Sequence, residues 1–279
     1  MLFGNVFATF GAAPSLALGL LSALYFIGSL CVYVSLIYQI STRIPTASGA
    51  DEPGRGFGLP EAVLASVLIF FFLLTVSSTV PDPALQFHPR NLLANFLLSA
   101  FVMLLIVTLL QFRGFDVGAL AGFFRISFFR TLGTGAILLF FAYPLIGFSE
   151  AINQRFFGGG SSKQSIVEFF SASRTIEERI MIIVFAVAIA PIIEEFVFRF
   201  FIYGVLKRYI GCLLGVVLSS LLFAAAHAHF PSFVPLFVLG SCFAIAYEWS
   251  SSILVSMTMH SLFNSLTLIA LAFPEIISQ

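Results

Sequence analysis

The chain has 279 residues, of which 59% are apolar and 9% charged, with 36 phenylalanines and a formal net charge of zero; mean hydropathy is +1.06. Soluble domains carry about 25% charged residues, so this composition specifies a polytopic membrane protein. The balanced charge offers neither a basic face for nucleic acid nor an acidic tail, and partners must be sought in the bilayer.

A helix needs roughly 17–25 apolar residues to cross a hydrocarbon core of about 30 Å. Runs of that kind predict eight transmembrane helices, at 15–40, 61–80, 91–111, 131–148, 180–206, 211–227, 232–247 and 252–273. The expected fold is an all-α membrane helix bundle. The first run has no positive segment before it and exceeds the roughly 7–15 residues of a signal-peptide core, so it is expected to be retained. The amphipathic stretch 114–130 either continues the fourth helix or leaves it shorter. Residues 165–179, with Glu168, Arg174, Glu177, Glu178 and Arg179, are expected to form an interfacial helix leading into the fifth span. Gly158, Gly159 and Gly160 precede Lys163 without the spacing of a phosphate loop or a strand leading in, and are expected to form a flexible connection. Cys31, Cys212 and Cys242 are unclustered in or beside apolar runs, as inert buried thiols would be. The phenylalanine excess is most simply lipid-facing bulk. Lys and Arg in the connections favour the side of Lys207 and Arg208 as cytoplasmic.

The most expensive feature is Pro191–Phe200, which places Glu194, Glu195 and Arg199 inside the fifth span. One charge at mid-bilayer costs about 2.5–3.5 kcal/mol on insertion scales. Glu195 and Arg199 stand at i and i+4 with the acid first, the favourable order for mutual neutralisation. Glu194 is turned by about 100° from that pair and has no local cation, which leaves it available to move protons. Pro191 is expected to kink the helix and admit water.

Three further polar residues interrupt the last spans. His227 lies on the sixth, and His260 and Asn264 share one face of the eighth as a pair of donors such as a developing oxyanion requires. At 1.5 Å per residue from the Lys207–Arg208 side, Glu194 lies about 20 Å deep, His227 about 25 Å, His260 about 12 Å and Asn264 about 18 Å. Ordinary helix tilts of about 20° absorb the differences. The residues can therefore share a cavity and hydrolyse a substrate by carboxylate-activated water without a serine or cysteine nucleophile. Polar contacts between helices are the competing explanation, and the matched depth favours a site. His88 and His229 are expected at the interface.

The segments Glu194-Glu195-Phe-Val-Phe-Arg199, Phe223-Ala-Ala-Ala-His227 and His260-Ser-Leu-Phe-Asn264 resemble, in order, the E-E-x-x-x-R, F-x-x-x-H and H-x-x-x-N motifs of the CAAX protease and bacteriocin-processing (CPBP, or Abi) family of intramembrane proteases. The resemblance covers about 180–270 and is silent on the first four spans. It implies a domain at 176–279 of that kind, after 1–175 as helices of unassigned role, and a location in a bacterial plasma membrane. It further implies an endopeptidase acting on a membrane-associated or lipidated protein or peptide, in which Glu194 and His227 activate water, His260 and Asn264 stabilise the oxyanion, and Glu195 with Arg199 support the site. No cofactor is expected. Zinc is the less favoured alternative, because H-E-x-x-H is absent and an asparagine suits an oxyanion donor better than a zinc ligand. Two other functions stand beside this one: a non-proteolytic scaffold or bacteriocin-immunity-type protein, and a transporter using Glu194 as a proton relay.

Overall fold

A computed structural model describes residues 16–43, 56–78, 89–157, 170, 173 and 175–273. Among them all regular structure is helical. In chain order the helices are α1 (Leu16–Thr42), α2 (Leu59–Ser78), α3 (Pro89–Phe112), the single turn α4 (Val117–Leu120) and α5 (Phe128–Phe157). Then come α6 (Ile176–Ile210), α7 (Cys212–Ala226), a 3-10 turn (Phe230–Ser232), α8 (Phe233–Ser250) and α9 (Ile253–Ala272). Five of these, α1, α5, α6, α8 with its preceding turn and α9, are long and apolar enough to cross a membrane, and α2, α3 and α7 are shorter apolar helices. Each of the eight predicted spans thus falls on a helix. The protein is an integral, multi-pass membrane protein built as a helix bundle.

Differences from the sequence-based expectations have local causes. Between 114 and 127 the chain forms only α4, capped by the Asp116 side chain accepting from Ala119 N–H, followed by turns; Gly114 and Gly122 adopt positive φ and end any continuous helix. Of the expected interfacial helix at 165–179, most lies outside the described residues, as do His88 and the Gly158–Lys163 connection. Its end is the start of α6, where Thr175 and Glu178 form a reciprocal capping box. Cys31 is exposed on α1, Cys212 is half-buried and Cys242 buried, all three as free thiols. The phenylalanines are divided: Phe70, Phe101, Phe124 and Phe129 are exposed, whereas Phe196, Phe198, Phe200, Phe201, Phe223 and Phe243 form the core around α6.

Helix α8 is central, packing on α1, α5, α7 and α9, while α6 packs on α7 and α9 and is flanked by α2 and α3. Gly211, at φ +85°, lets α6 reverse directly into α7. At 15 residues, α7 rises only about 22 Å, less than the roughly 30 Å hydrocarbon core. Its C-terminal end, where His227 stands, therefore lies within the thickness of the membrane.

In hydrocarbon each backbone carbonyl deprived of its partner must find another inside the protein. Prolines 144, 191 and 235 each lack the N–H that an α-helix would direct at residues 140, 187 and 231. A side chain from a neighbouring segment takes each freed carbonyl: Tyr25 Oη–H donates to Phe140 O at 2.6 Å, Ser261 Oγ–H to Val187 O, and Asn153 Nδ2–H to Pro231 O at 2.7 Å. The prolines are thereby converted into cross-links of α1 to α5, α9 to α6, and α5 to the start of α8.

Candidate active site

Helix α6 is irregular on both sides of the glutamates. A π-helical stretch, Phe185–Ile189, precedes the short α-helical segment Ala190–Glu194, and a second, Glu195–Ile202, follows it. Single π-turns inside membrane helices gather at functional sites. Here the first has an identifiable cause. Ala190 N–H donates to Phe185 O, so Ala186 O has lost its α-helical donor, and its π-helical donor would be Pro191, which has none. Asn264 Nδ2–H fills the vacancy at 2.7 Å, one turn along α9 from Ser261 and its bond to Val187 O.

This lock sets the register of α9 against α6 and brings His260 to the glutamates. Glu195 is fully buried, and its Oε1 accepts from Arg199 Nη1–H at 2.7 Å and from His260 Nδ1–H at 3.0 Å. The expected i,i+4 pair therefore exists, extended by a histidine from another helix. Arg199 is just as buried, lying 4.0 Å from the Phe223 ring centroid and 5.2 Å from that of Phe243, with Nη2–H reaching Gly240 O at 3.4 Å. A Cβ at Gly240 would lie 3.2 Å from Arg199 Nη2, so a larger residue there would crowd the guanidinium. Phe243 stacks on the His260 ring at 5.0 Å, and Phe223 meets both imidazoles edge-on.

Glu194 is the more open carboxylate, with 30% of its side chain exposed against none for Glu195. Its Oε2 stands 3.9 Å from His227 Nε2 and 3.9 Å from His260 Nε2. The other nitrogen of each ring is committed: His227 Nδ1–H donates to Phe223 O at 2.8 Å, and His260 Nδ1–H to Glu195. Both Nε2 atoms are thus aimed at Glu194, and the oxygen they face accepts no hydrogen bond among the described residues. The structure brings Glu194, Glu195, Arg199, His227 and His260 together, with Asn264 one turn from His260. His229 is separate, its Nδ1 bonded to Ser232 Oγ at 2.9 Å.

Glu194, His227 and His260 are the side chains that a metal could use. Among the described residues, however, no group of three or more His, Cys, Asp or Glu is placed to hold an ion. Phe243 and Ser261 carried no spacing signal, since their roles depend on which helices become neighbours. Phe223 was visible as the first position of its motif, without an indication that its ring would serve Arg199 and two histidines.

Residues 176–266 match the family model described as type II CAAX prenyl endopeptidase Rce1-like. Over 102 residues the chain is 36% identical to the membrane-embedded CAAX protease MroQ of Staphylococcus aureus (strain USA300), a match covering 34% of this chain and 41% of that protein. The chain therefore spans about two fifths of the length of that relative. No solved structure matches it. Three motifs in order on α6, α7 and α9, their convergence at Glu194 and these two similarities agree: over residues 176–266 the chain is similar to the CAAX proteases.

Proposed function

We propose that the protein is an intramembrane endopeptidase that cleaves a membrane-associated or lipidated protein or peptide, with Glu194 as the base that activates water. The observation that carries this reading is the convergence of Glu194 Oε2 with two oriented imidazole nitrogens, each 3.9 Å away. Two acceptors each about 2.8 Å from one water oxygen can stand up to about 5.6 Å apart. A water held between Glu194 Oε2 and His227 Nε2 can therefore donate to both and keep a lone pair free for a carbonyl carbon. Two zinc ligands about 2.1 Å from a tetrahedral ion are about 3.4 Å apart, so the 3.9 Å separations favour water over metal.

In the proposed reaction Glu194 takes a proton as the water oxygen bonds to the scissile carbon. The C–N bond of the resulting tetrahedral intermediate then breaks, and the proton passes from Glu194 to the leaving nitrogen, giving an acid and an amine. His260 Nε2–H and the second Nδ2–H of Asn264 supply the oxyanion donors. Because Nδ1–H of His260 is already given to Glu195, donation from Nε2 requires the imidazolium form. Glu195 and Arg199 act through His260 as positioning residues.

Glu194→Gln is nearly isosteric but cannot take the proton. It is expected to abolish cleavage of a substrate peptide while leaving insertion and unfolding unchanged. Undiminished turnover in that variant would overturn the assignment.

A further inference from the structure

A second cavity, of about 260 Å³, opens at the opposite end of α6 from its N-terminus, between Phe57, Phe200, Tyr203, Lys207, Glu248 and the loop residue Arg125. Lys207 is 13 positions along α6 from Glu194, about 20 Å, so this is not the candidate active site. Its volume lies just below the roughly 300–1,000 Å³ of small-molecule sites. It is too small for a substrate chain and suited to a compact group.

The charges identify that group. Glu248 is neutralised from within the protein, its Oε1 accepting from Lys207 Nζ at 2.6 Å and its Oε2 from Tyr203 Oη–H at 2.8 Å. Arg125 is exposed at the margin, and its guanidinium makes no hydrogen bond or ion pair among the described residues. Arg43 stands nearby, its guanidinium donating to the carbonyls of Glu248 and Trp249. The charged side chains lining the cavity are two cations, Arg125 and Lys207, against one anion, Glu248, and they stand at the helix ends, where aromatic side chains meet headgroups.

The wall carrying Arg125 is fixed rather than loose. Gly122, at φ +71°, lies so close to the α8–α9 turn that a Cβ would come within 2.0 Å of Ser251 O. Ser252 Oγ–H donates to Gly122 O at 2.9 Å, and Ile253 N–H to Ala121 O at 2.9 Å. A ligand held there would join the loop before α5 to the ends of α6 and α8. We infer that this cavity binds a phosphate-bearing anion through Arg125 and Lys207, the headgroup of an anionic phospholipid being the source that the membrane supplies.

The test uses the full chain in phosphatidylcholine nanodiscs, with unfolding followed by the fluorescence of Trp249. This is the sole tryptophan, and its Nε1–H donates to Gln39 beside the cavity. Phosphatidylglycerol is expected to raise the unfolding midpoint in a saturable way. Arg125→Gln should weaken the apparent affinity about fivefold, from about 1 kcal/mol per interfacial cation, and Leu120→Phe, which crowds the cavity without adding a tryptophan, should abolish the shift. Arg130→Gln, at an exposed cation of the same end outside the cavity, should leave it intact. The same variant pattern with inorganic phosphate alone would support the site and assign a soluble anion as its ligand. Absence of a shift with both probes, or equal losses in Arg125→Gln and Arg130→Gln, would overturn it. Should Arg125→Gln fail to fold, Leu120→Phe decides.

Discussion

Replacing Glu195 by alanine removes the one carboxylate that neutralises two groups in the site. Arg199 has 1% of its side chain exposed, and after the substitution it keeps the Gly240 carbonyl and two aromatic faces but no directly bonded counter-charge. Breaking a buried pair by removing one partner costs about 3–5 kcal/mol. The bond from His260 is between helices, and such bonds average about 0.6 kcal/mol in membranes, so the stranded guanidinium dominates. Glu195→Gln separates charge from geometry. Its amide oxygen can still accept from both donors, and its NH₂ would occupy the place of Oε2, which has no partner to lose. The expected order of stability is therefore wild type, then Glu195→Gln, then Glu195→Ala, the last lower by about 3–5 kcal/mol in reversible unfolding from mixed micelles. A loss below about 1 kcal/mol in Glu195→Ala, a typical surface-pair value, would refute the claim that the pair is buried and that Arg199 depends on it.

Three further outcomes are expected. Tyr25→Phe should cost about 0.6 kcal/mol, the mean for an interhelical bond, and nothing in a Pro144→Ala background, where the backbone supplies its own donor to Phe140 O; equal costs in both backgrounds would refute the proline cross-link. Gly122→Ala should cost more than the roughly 1 kcal/mol of an ordinary glycine-to-alanine strain, because its Cβ would lie 2.0 Å from Ser251 O; wild-type unfolding would show that the loop is free to move. Chelation with 1,10-phenanthroline or EDTA should leave cleavage unchanged, and an inhibition reversed by added zinc would overturn the metal-free mechanism.

The eight apolar helices were legible because the hydrocarbon core demands long apolar runs, though only five of them reach the length and hydropathy of a full crossing. The Glu195–Arg199 pair was legible for a similar reason, since both partners sit on one helix at a spacing fixed by its own geometry. The two π-turns in α6 were not. The first depends on α9 offering Asn264 and Ser261 to carbonyls that a uniform helix would have kept, a condition set by tertiary contacts. The division of the phenylalanines also escaped the sequence, because in a membrane lipid-facing and core positions are equally apolar and hydropathy cannot separate them. The cost of charge in oil pointed to Glu194, but its partners on other helices had to be proposed by matching depths and by the motif resemblance.

Asn264 is the residue for which sequence and structure suggest different work. The motif implies an oxyanion donor, yet one of its two N–H groups already serves Ala186 O, a carbonyl left open by the π-turn and by Pro191. The two roles separate in a double mutant. Asn264→Ala should weaken the α6–α9 contact and also lower turnover. Adding Pro191→Ala restores a backbone N–H that can reach Ala186 O or Val187 O, so stability should return. If Asn264 acts only as a clamp, turnover returns with it. If its second N–H meets the oxyanion, turnover stays depressed by about 10²–10³, the usual loss for one oxyanion donor, in a protein as stable as the Pro191→Ala single variant. Full recovery of cleavage in the double mutant would remove Asn264 from the chemistry and leave His260 as the only proposed oxyanion donor.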